Sequence, residues 1–440
     1  MLDIRFIHQN PDLVQQVANG KGIAVNVREL ILWDETRLRL QKESELLRQR
    51  RNALSRQIGN RTQRENREEA EKAREEVEKA KEEVRQIHAR LASLETELLE
   101  AEQHFHRLML LVPNIVSPDT PAGSSDADNV EVKRVGEPPR FDFPAKDHVE
   151  LGELLDIVDI PRGVKVAGTR NYVLKGAGCL LHRAVQQLAV DMLTERGFTL
   201  LDAPLIVRGD ALVHTGFFPL GEEQTFRIDQ EDKWLIGTSE VSLVSYFSDE
   251  VVDVTQPVKV AAVTPCFRKE VGSAGKDVRG LYRVHQFSKV EQVVLCRNDP
   301  ALAEQLLQEI TRNAEDLLQL LELPYRIVAV CTGDMAQKTY KQYDIETWMP
   351  SRQSYGETHS SSNLLDFQAR RANIRYREGE GKPVYCYTLN NTAIASPRIL
   401  IPLLEVHQRE DGSVAIPKAL RKYMNGMEEL RPPRSTLEAR

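Results

Sequence analysis

Between residues 70 and 108 the apolar positions run Ala70, Ala73, Val77, Ala80, Val84, Ile87, Leu91, Leu94, Leu98, Ala101, Phe105 and Leu108, three and four apart in unbroken alternation. That spacing holds one stripe along one side of an α-helix and makes the segment a coiled-coil seam, which needs a partner helix to cover it. Upstream, Trp33, Leu40, Leu47 and Leu54 recur every seven residues and are followed by Ile58, a weaker second stripe. Gly59 is the only glycine between Gly22 and Gly123, which puts the break between the stripes within 59–69. The spacing therefore predicts an antiparallel helical hairpin over about 28–110.

The two limbs of this hairpin carry opposite charge. From Gln41 to Arg67 there are eight Lys or Arg against three Glu, and from Glu68 to Glu83 eight Glu against four Lys or Arg. Arg48, Arg50, Arg51, Arg56, Arg61, Arg64 and Arg67 cluster toward the expected tip. Guanidinium groups fork onto phosphate oxygens and stack on exposed bases, so such an arm suits RNA, although a solvated charged rod or a dimerisation zipper is equally built from these residues. The formal net charge of −7 does not argue against an RNA partner, because it averages over limbs of opposite sign.

The remainder bounds the protein class. With 440 residues and 41% apolar content the chain has material for two or more domains. It contains no run of 18 apolar residues, and Asp3 and Asp12 interrupt the start where a signal peptide would be apolar, so a cytoplasmic protein without a membrane partner is expected. Five cysteines, Cys179, Cys266, Cys296, Cys331 and Cys386, are scattered without a C-x-x-C pair, and neither disulfides nor zinc are expected. Residues 113–130, rich in Pro, Ser, Asp and Gly, read as a linker after an N-terminal domain over 1–112. From 131 to 427 short β-rich runs (258–263, 281–296, 325–330, 384–389) alternate with helical stretches (179–196, 301–321, 398–405), predicting an α+β domain with a mainly antiparallel sheet flanked by helices, and 428–440 reads as a flexible tail. Gly176 and Gly178 lack the third glycine of a dinucleotide fingerprint, and there is no P-loop motif.

The stretch FRKEVGSAGKDVRGLYRVHQF, residues 267–287, suggests where chemistry occurs. As strands flanking a glycine loop, it would place Arg268 and Glu270 on one face and Leu281, Arg283, His285, Phe287, Lys289 and Glu291 on one face of the return. Such a floor offers an Arg for a phosphate, a ring for a base and a carboxylate for an amine, while a solvated hairpin with cross-strand ion pairs uses the same residues.

C-F-R-x-E followed by R-x-H-Q-F-x-K-x-E resembles motif 2 of class II aminoacyl-tRNA synthetases, and specifically the seryl family. The similarity extends along nearly the whole chain: MLDIRFIHQNPDLV, the hairpin, PNI…DNVEV, ELGELLDI, TSEVSL, CTGDMA, YDIETWMP, SSSNLLDFQARRANIRYR and TLNNTAIASPRILIPLLE. The resemblance implies a tRNA-binding helical arm on a class II synthetase domain, a homodimer with Pro204 in its motif 1 interface, and serylation of tRNA(Ser), and of tRNA(Sec), through seryl-adenylate made from serine and ATP with Mg²⁺ or Mn²⁺. It implies that Arg268 holds the α-phosphate and the serine carboxylate, that Glu270 lies near adenine over Phe287, and that Arg398 lies on the γ-phosphate side. Lys269, Val284, Thr358 and His359 fall in the same ATP-binding stretches. Thr238, Ser239, Glu240, Glu291, Asn390 and Thr392 match serine-binding positions, and Glu357 and Ser360 match the pair that holds the metal. A lone histidine such as His359 reads as a bystander to that metal rather than a ligand.

Two relatives of different function remain consistent with parts of the pattern: a paralogue that adenylates an amino acid for a carrier protein, and a non-catalytic RNA-binding form. Motif 3 also departs from the common N-G-S-G-L-A-x-G-R, since Asn391, Thr392, Ala393 and Pro397 replace its residues. Asn391 and Ala393 are expected to reshape the pocket wall, and Ser396 with Pro397 to start the helix that bears Arg398, with Pro402 tolerated early in it or kinking it. TSE stands where T-A-E is more usual, and His359 where a Ser is common.

Overall fold

A computed structural model describes residues 1–61, 67–272 and 279–433, with the side chains of 60–73 outside that description. It divides into two compact units, Asp3–Ala18 with Ala24–Val112, and Met1–Leu2 with Asn19–Ile23 and Pro113–Arg440.

The smaller unit is helical: α1 (Ile4–Gln9), α2 (Pro11–Gly20), α3 (Val27–Arg61) and α4 (Arg67–Leu111). The Asp3 carboxylate caps α1 by accepting from the Arg5 N–H, and His8 Nε2 meets Asp34 Oδ2 at 2.7 Å, tying α1 to α3. Leu40 of α3 packs on Leu94 and Ala101 of α4 with Trp33, Leu47 and Leu98 around them, and Leu54 packs on Ile87 and Leu91. Positions that rise along α3 meet positions that fall along α4, so the hairpin is antiparallel and each stripe covers the other. Trp33 stacks on His104 at 4.4 Å, and the Arg37 guanidinium lies over the Phe105 ring at 4.2 Å. Of the expected break within 59–69, residues 59–61 and 67–69 are helical and 62–66 lie outside the described residues, as do the side chains of Arg61, Arg64 and Arg67 and residues 434–440 of the expected tail. Glu429–Leu430 of that tail instead pair with Val414–Ala415 and bury Leu430.

The larger unit is built on an eight-stranded sheet whose strands are β1 (Val130–Val135), β2 (Thr199–Leu200), β3 (Val258–Phe267), β4 (Gln286–Cys296), β5 (Tyr325–Ala329), β6 (Lys341–Met349), β7 (Ser354–Asn363) and β8 (Tyr387–Ser396). Their spatial order is β1-β5-β6-β7-β8-β4-β3-β2, antiparallel except for the parallel β2–β3 edge pair. On one face the helices α5 (Ala177–Glu195) and α7 (Pro300–Leu320) pack against residues such as Val290, Val294, Leu389 and Ile394. On the other, α6 (Glu240–Ser245) and α8 (Phe367–Ala372) cover Val293 and Leu295 at one end of the strands, where Leu243, Val244 and Ala369 join them. The period-2 alternation of β4 thus divides its residues between two environments. Beyond the cover of α6 and α8 the second face stays open, and there it becomes polar.

Several boundaries differ from the sequence reading. The return of the 267–287 hairpin is a strand only from Gln286, because the segment 279–285 turns instead of pairing. Arg398 precedes its helix: β8 extends to Ser396 and α9 runs Leu400–Val406, so Ser396 and Pro397 end a strand rather than start a helix. Pro402 falls in the first turn of α9, where its missing N–H leaves no helical bond unmade. Residues 113–130 are docked rather than a free linker, since the Asn114 N–H donates to the Gln337 carbonyl, Ser117 N–H to Tyr340 and Gly333 N–H to Gly123. No described helix is long and apolar enough to cross a membrane.

Leu94, 1% exposed, is the central knob of the hairpin. Leu94→Ala is expected to cost about 2–4 kcal/mol. Amide hydrogen exchange should then accelerate across α3 and α4 while the strands of the larger unit keep wild-type protection.

Candidate active site

The polar end of the sheet is a cavity of about 260 Å³ whose lining includes Arg268, Glu270, Phe287, Glu291, Glu357 and Arg398. Its floor follows from the strand register. Thr392 lies opposite Glu291, and Asn390 opposite Val293, so Asn390, Thr392, Phe287, Lys289 and Glu291 share the open face of β4 and β8.

Arg268 leaves the end of β3. Its Nε donates to the Gly237 carbonyl at 3.1 Å, and its guanidinium lies 5.3 Å from the Phe287 ring centre. Glu270 adopts positive φ beyond the strand end and meets Arg283 at 3.4 Å, so Arg268 and Glu270 reach one cavity through a turn rather than along one strand face. Arg398 is anchored at Nε by the Tyr282 carbonyl at 3.1 Å and lies over the Tyr282 ring at 4.4 Å. One of its terminal nitrogens reaches the Glu357 carbonyl at 3.2 Å and the Glu357 carboxylate at 3.3 Å.

Two carboxylates are buried in the opposite half, each with an ammonium partner. Lys338 Nζ meets Glu240 at 2.5 Å and sits 3.8 Å from the Phe217 ring centre, while Gln368 Nε2 donates to the same carboxylate at 2.7 Å. Lys289 meets Glu291 at 2.7 Å, and the Thr392 hydroxyl approaches Glu291 at 3.5 Å. Burial pushes Glu291 up against the pull of Lys289, and burial likewise lowers Lys338 against the pull of Glu240. Thr238 fixes the start of α6 by accepting from the Glu240 N–H at 3.3 Å.

Three expected residues do not line the cavity. Lys269 turns away, with its Nζ over the Phe226 ring at 5.8 Å. Ser239 is fully buried at the start of α6. His359 points to the helix-covered face, where Nδ1 meets the Thr358 hydroxyl at 2.8 Å and burial lowers its pKa to about 3. The replacements in motif 3 do not reshape the wall as expected either. Asn391 and Ala393 face away from the cavity and are completely buried, leaving Asn390, Thr392, Ala395 and Pro397 as the wall.

Lys338, Gln368, Tyr282, Phe217 and Gln342 are the contributors that sequence reasoning missed. Lys338 lies in the irregular segment before β6, where no periodicity assigns a direction to a side chain. Lys289 did carry a signal, since it shares the stripe of Phe287 and Glu291.

The oxygens near Arg398 fit a hard cation. Glu357 and Ser360 both line the cavity, and Gln342 Nε2 donates to Ser360 Oγ at 3.2 Å and to Asp344 Oδ1 at 2.9 Å. Asp344 pairs across the strands with Ser360, and burial beside Glu357 raises its pKa to about 8. No group of three or more His, Cys, Asp or Glu suited to a metal occurs among the described residues. A donor set of one carboxylate and one hydroxyl therefore suits an ion that brings other oxygen ligands with it, as Mg²⁺ does on phosphates.

An antiparallel sheet with an arginine at the end of β3, a second after β8 and a nucleotide-sized cavity between them defines the core of a class II aminoacyl-tRNA synthetase, and residues 225–407 match the model of the tRNA synthetase class II core domain (G, H, P, S and T). Residues 1–116 match the seryl-tRNA synthetase N-terminal domain. The chain is 43% identical over 434 residues to the serine–tRNA ligase of Deinococcus radiodurans, covering 98% of this chain and 100% of that one. It is 41% identical over 433 residues to the serine–tRNA ligase of Thermomicrobium roseum, covering 98% and 95%. The crystal structure of seryl-tRNA synthetase from Pyrococcus horikoshii complexed with ATP matches with a TM-score of 0.89 at 36% identity, over 99% of this chain and 100% of that one. The chain belongs to the seryl-tRNA synthetase family. It is an ATP-binding ligase that joins serine to tRNA.

The segment carrying Lys338 is braced from behind by an unusual lysine. Lys21 Nζ, 7% exposed, donates to the carbonyls of Ala336 at 3.2 Å, Gln337 at 3.3 Å and Thr339 at 2.5 Å. Burial lowers its pKa to about 7. Between about pH 7 and the ordinary lysine value near 10.4, the unfolded chain then binds a proton that the folded chain lacks, so stability rises with pH by at most about 1.4 kcal/mol per unit, and that gain is lost as pH falls to 7. Urea titrations at pH 7 and 9 should show this rise in the wild type and a smaller one in Lys21→Met.

Proposed function

We propose that the cavity activates serine with ATP to seryl-adenylate and passes the seryl group to the 3′ end of tRNA(Ser), and of tRNA(Sec) where that tRNA exists. The observation that carries this reading is the meeting of the Arg268 and Arg398 guanidiniums, the Phe287 ring and two buried carboxylates in one cavity. Adenine stacks on Phe287, with Glu270 beside it and Val284 in the wall. Arg268 receives the α-phosphate and the serine carboxylate, and a serine carboxylate oxygen attacks the α-phosphorus as the bond to pyrophosphate breaks. Arg398 steadies the leaving end. Both guanidiniums are already fixed by backbone carbonyls, so they meet the developing charge without reorganising, which is where a site of this kind contributes most. Glu357 and Ser360 would hold Mg²⁺ or Mn²⁺, which when bound neutralises phosphate oxygens.

The serine ammonium goes to Glu240 and shares it with Lys338. The hydroxyl goes to Glu291 and Thr392, with Asn390 and Thr238 completing the wall. Alanine would leave the Glu291 carboxylate without its hydroxyl, a strong basis for rejection. In the smaller unit Arg48, Arg50, Arg51 and Arg56 offer guanidiniums to tRNA. Arg48 meets Glu95 at 3.4 Å and Arg50 meets Glu83 at 2.7 Å on the facing helix, in pairs exposed enough for a phosphate to displace them. Leu200 of edge strand β2 is 47% exposed and Ile206 49% exposed, beside Pro204, which supports a homodimer through this edge. The cytoplasm, where tRNA is charged, is the compartment this reading implies.

Serine-dependent exchange of labelled pyrophosphate into ATP, followed by charging of tRNA(Ser), tests the reading. The wild type should do both. Exchange without charging would indicate a carrier-protein paralogue, and ATP binding without exchange a non-catalytic relative. Arg268→Ala and Arg398→Ala should each lower exchange by about 10²–10³-fold. Deleting residues 28–110 should abolish charging and leave exchange within a few-fold of the wild type, and equal loss of both would refute the division of labour between the units.

A further inference from the structure

β7 and β8 are paired over only three positions, Ser361 with Asn391, Ser362 with Asn390 and Asn363 with Leu389. Past Ser361 and Asn391 the two strands part, and the cavity opens between Ser360 and Glu357 on one and Thr392 and Ala395 on the other. Both strands are irregular just beyond this fork, with a bulge after Thr392 in the β8–β4 pair and another beside Thr358 in the β6–β7 pair. A ladder that ends at a bulge on either side leaves the width of the fork to side chains.

One side chain spans it. Asn391 Nδ2 donates to Ser361 Oγ at 2.7 Å and to the Ser360 carbonyl at 3.3 Å. Asn391 is itself held from behind: its Oδ1 accepts from Gln292 Nε2 at 2.5 Å, Gln292 Oε1 accepts from Asn313 Nδ2 at 2.6 Å, and Asn313 Oδ1 accepts from Arg196 at 2.6 Å. Gln292 also donates to the Ile310 carbonyl at 3.3 Å. Asn391, Gln292 and Ser361 are fully buried and Asn313 is 1% exposed. The direction of the chain leaves no freedom in placing oxygen and nitrogen. Arg196 only donates and the Ser360 carbonyl only accepts, so each amide between them must present oxygen toward the arginine and nitrogen toward β7.

We propose that Asn391 is a positioning residue that pins Ser360 to Thr392 at the fork and so fixes the distance between the phosphate-side oxygens and the serine-side wall. The two residues it links are the direct neighbours of its own bonds, Ser360 through its carbonyl and Thr392 through the next peptide. A glycine at 391 has no group to make this link. The proposal rests on the assignment of Ser360 and Glu357 to the ATP phosphates and their cation, and on Thr392 as a serine contact.

The test compares Asn391→Ala with Asn313→Leu in the full-length protein. Both cut the amide chain, but only the first removes the link across the fork. In calorimetric titration with a non-hydrolysable ATP analogue and Mg²⁺, Asn391→Ala should weaken binding about tenfold, or roughly 1.4 kcal/mol. The Mg²⁺ concentration for half-maximal pyrophosphate exchange should rise with it. Asn313→Leu should lower the melting temperature and leave analogue binding within about twofold of the wild type. If Asn391→Ala binds the analogue within twofold of the wild type, or if Asn313→Leu weakens it equally, the proposal is overturned. Should Asn391→Ala not fold, Ser361→Ala, which removes one leg of the link, decides: weakening of about threefold supports the link and unchanged binding refutes it. Absence of exchange in the wild type would count against the functional reading, whereas the difference between variants in analogue binding bears on Asn391 alone.

Discussion

Two ion pairs buried beside one another, Glu240 with Lys338 and Glu291 with Lys289, constrain everything built around the cavity. A buried carboxylate without a partner is costly, and removing one member of such a pair typically costs about 3–5 kcal/mol. Each pair therefore demands that its lysine be held as firmly as its glutamate. For Lys289 and Glu291 the strand does this, because two residues along β4 share a face. For Lys338 it does not, since no regular element carries it. That segment is held instead by Lys21, whose ammonium donates to the carbonyls of Ala336, Gln337 and Thr339, and by Asn114, whose Nδ2 donates to the carbonyl of Lys338 itself. The site thus depends on backbone bracing some distance from any substrate.

The apolar half of the sheet makes this affordable. Val290 and Val294 on the helix side, and Val293 and Leu295 beneath α6 and α8, surround the charged residues of β4 with packed hydrocarbon. The charges are confined to the single end where a ligand enters. With those four charges summing to zero, the cavity presents the guanidinium of Arg268 over Phe287 at one end and that of Arg398, which it shares with the Glu357 carboxylate, at the other, which suits a polyanion stretched between them.

What could be read in advance followed from period and from pairing. The hairpin was legible because a seam of twelve positions tolerates only one geometry, and its partner stripe was present in the same chain. The stripe of Phe287, Lys289 and Glu291 was legible because strand alternation is strict. Arg398 was placed on a helix because nothing local announces that β8 extends to Ser396, and Ala393 on the cavity wall because no local pattern announces the bulge that falls on it. Asn391, in contrast, precedes the bulge and faces away by ordinary strand alternation with Asn390 and Thr392. Lys338 and Gln368 were invisible for a different reason: their roles depend on partners some 100 or more residues away, Glu240 in both cases. The docked run 113–130 was taken for a linker because its composition forbids regular structure, and composition says nothing about bonds to a neighbouring surface.

The substitution of Asn391 for a motif 3 glycine is intelligible only as part of a set. An asparagine buried at a strand fork brings one acceptor and two donors that must all be met, or it costs more than it contributes. Gln292 meets the acceptor, Ser361 and the Ser360 carbonyl meet the donors, and Asn313 with Arg196 completes the supply to Gln292. Exchange of the asparagine alone for glycine would leave the Gln292 amide with one hydrogen unbound inside the sheet and the Ser361 hydroxyl without its donor. Asn391 is therefore held as one member of a set, and the strand fork is stitched by a side chain whose partners behind the strand are met only while it is present.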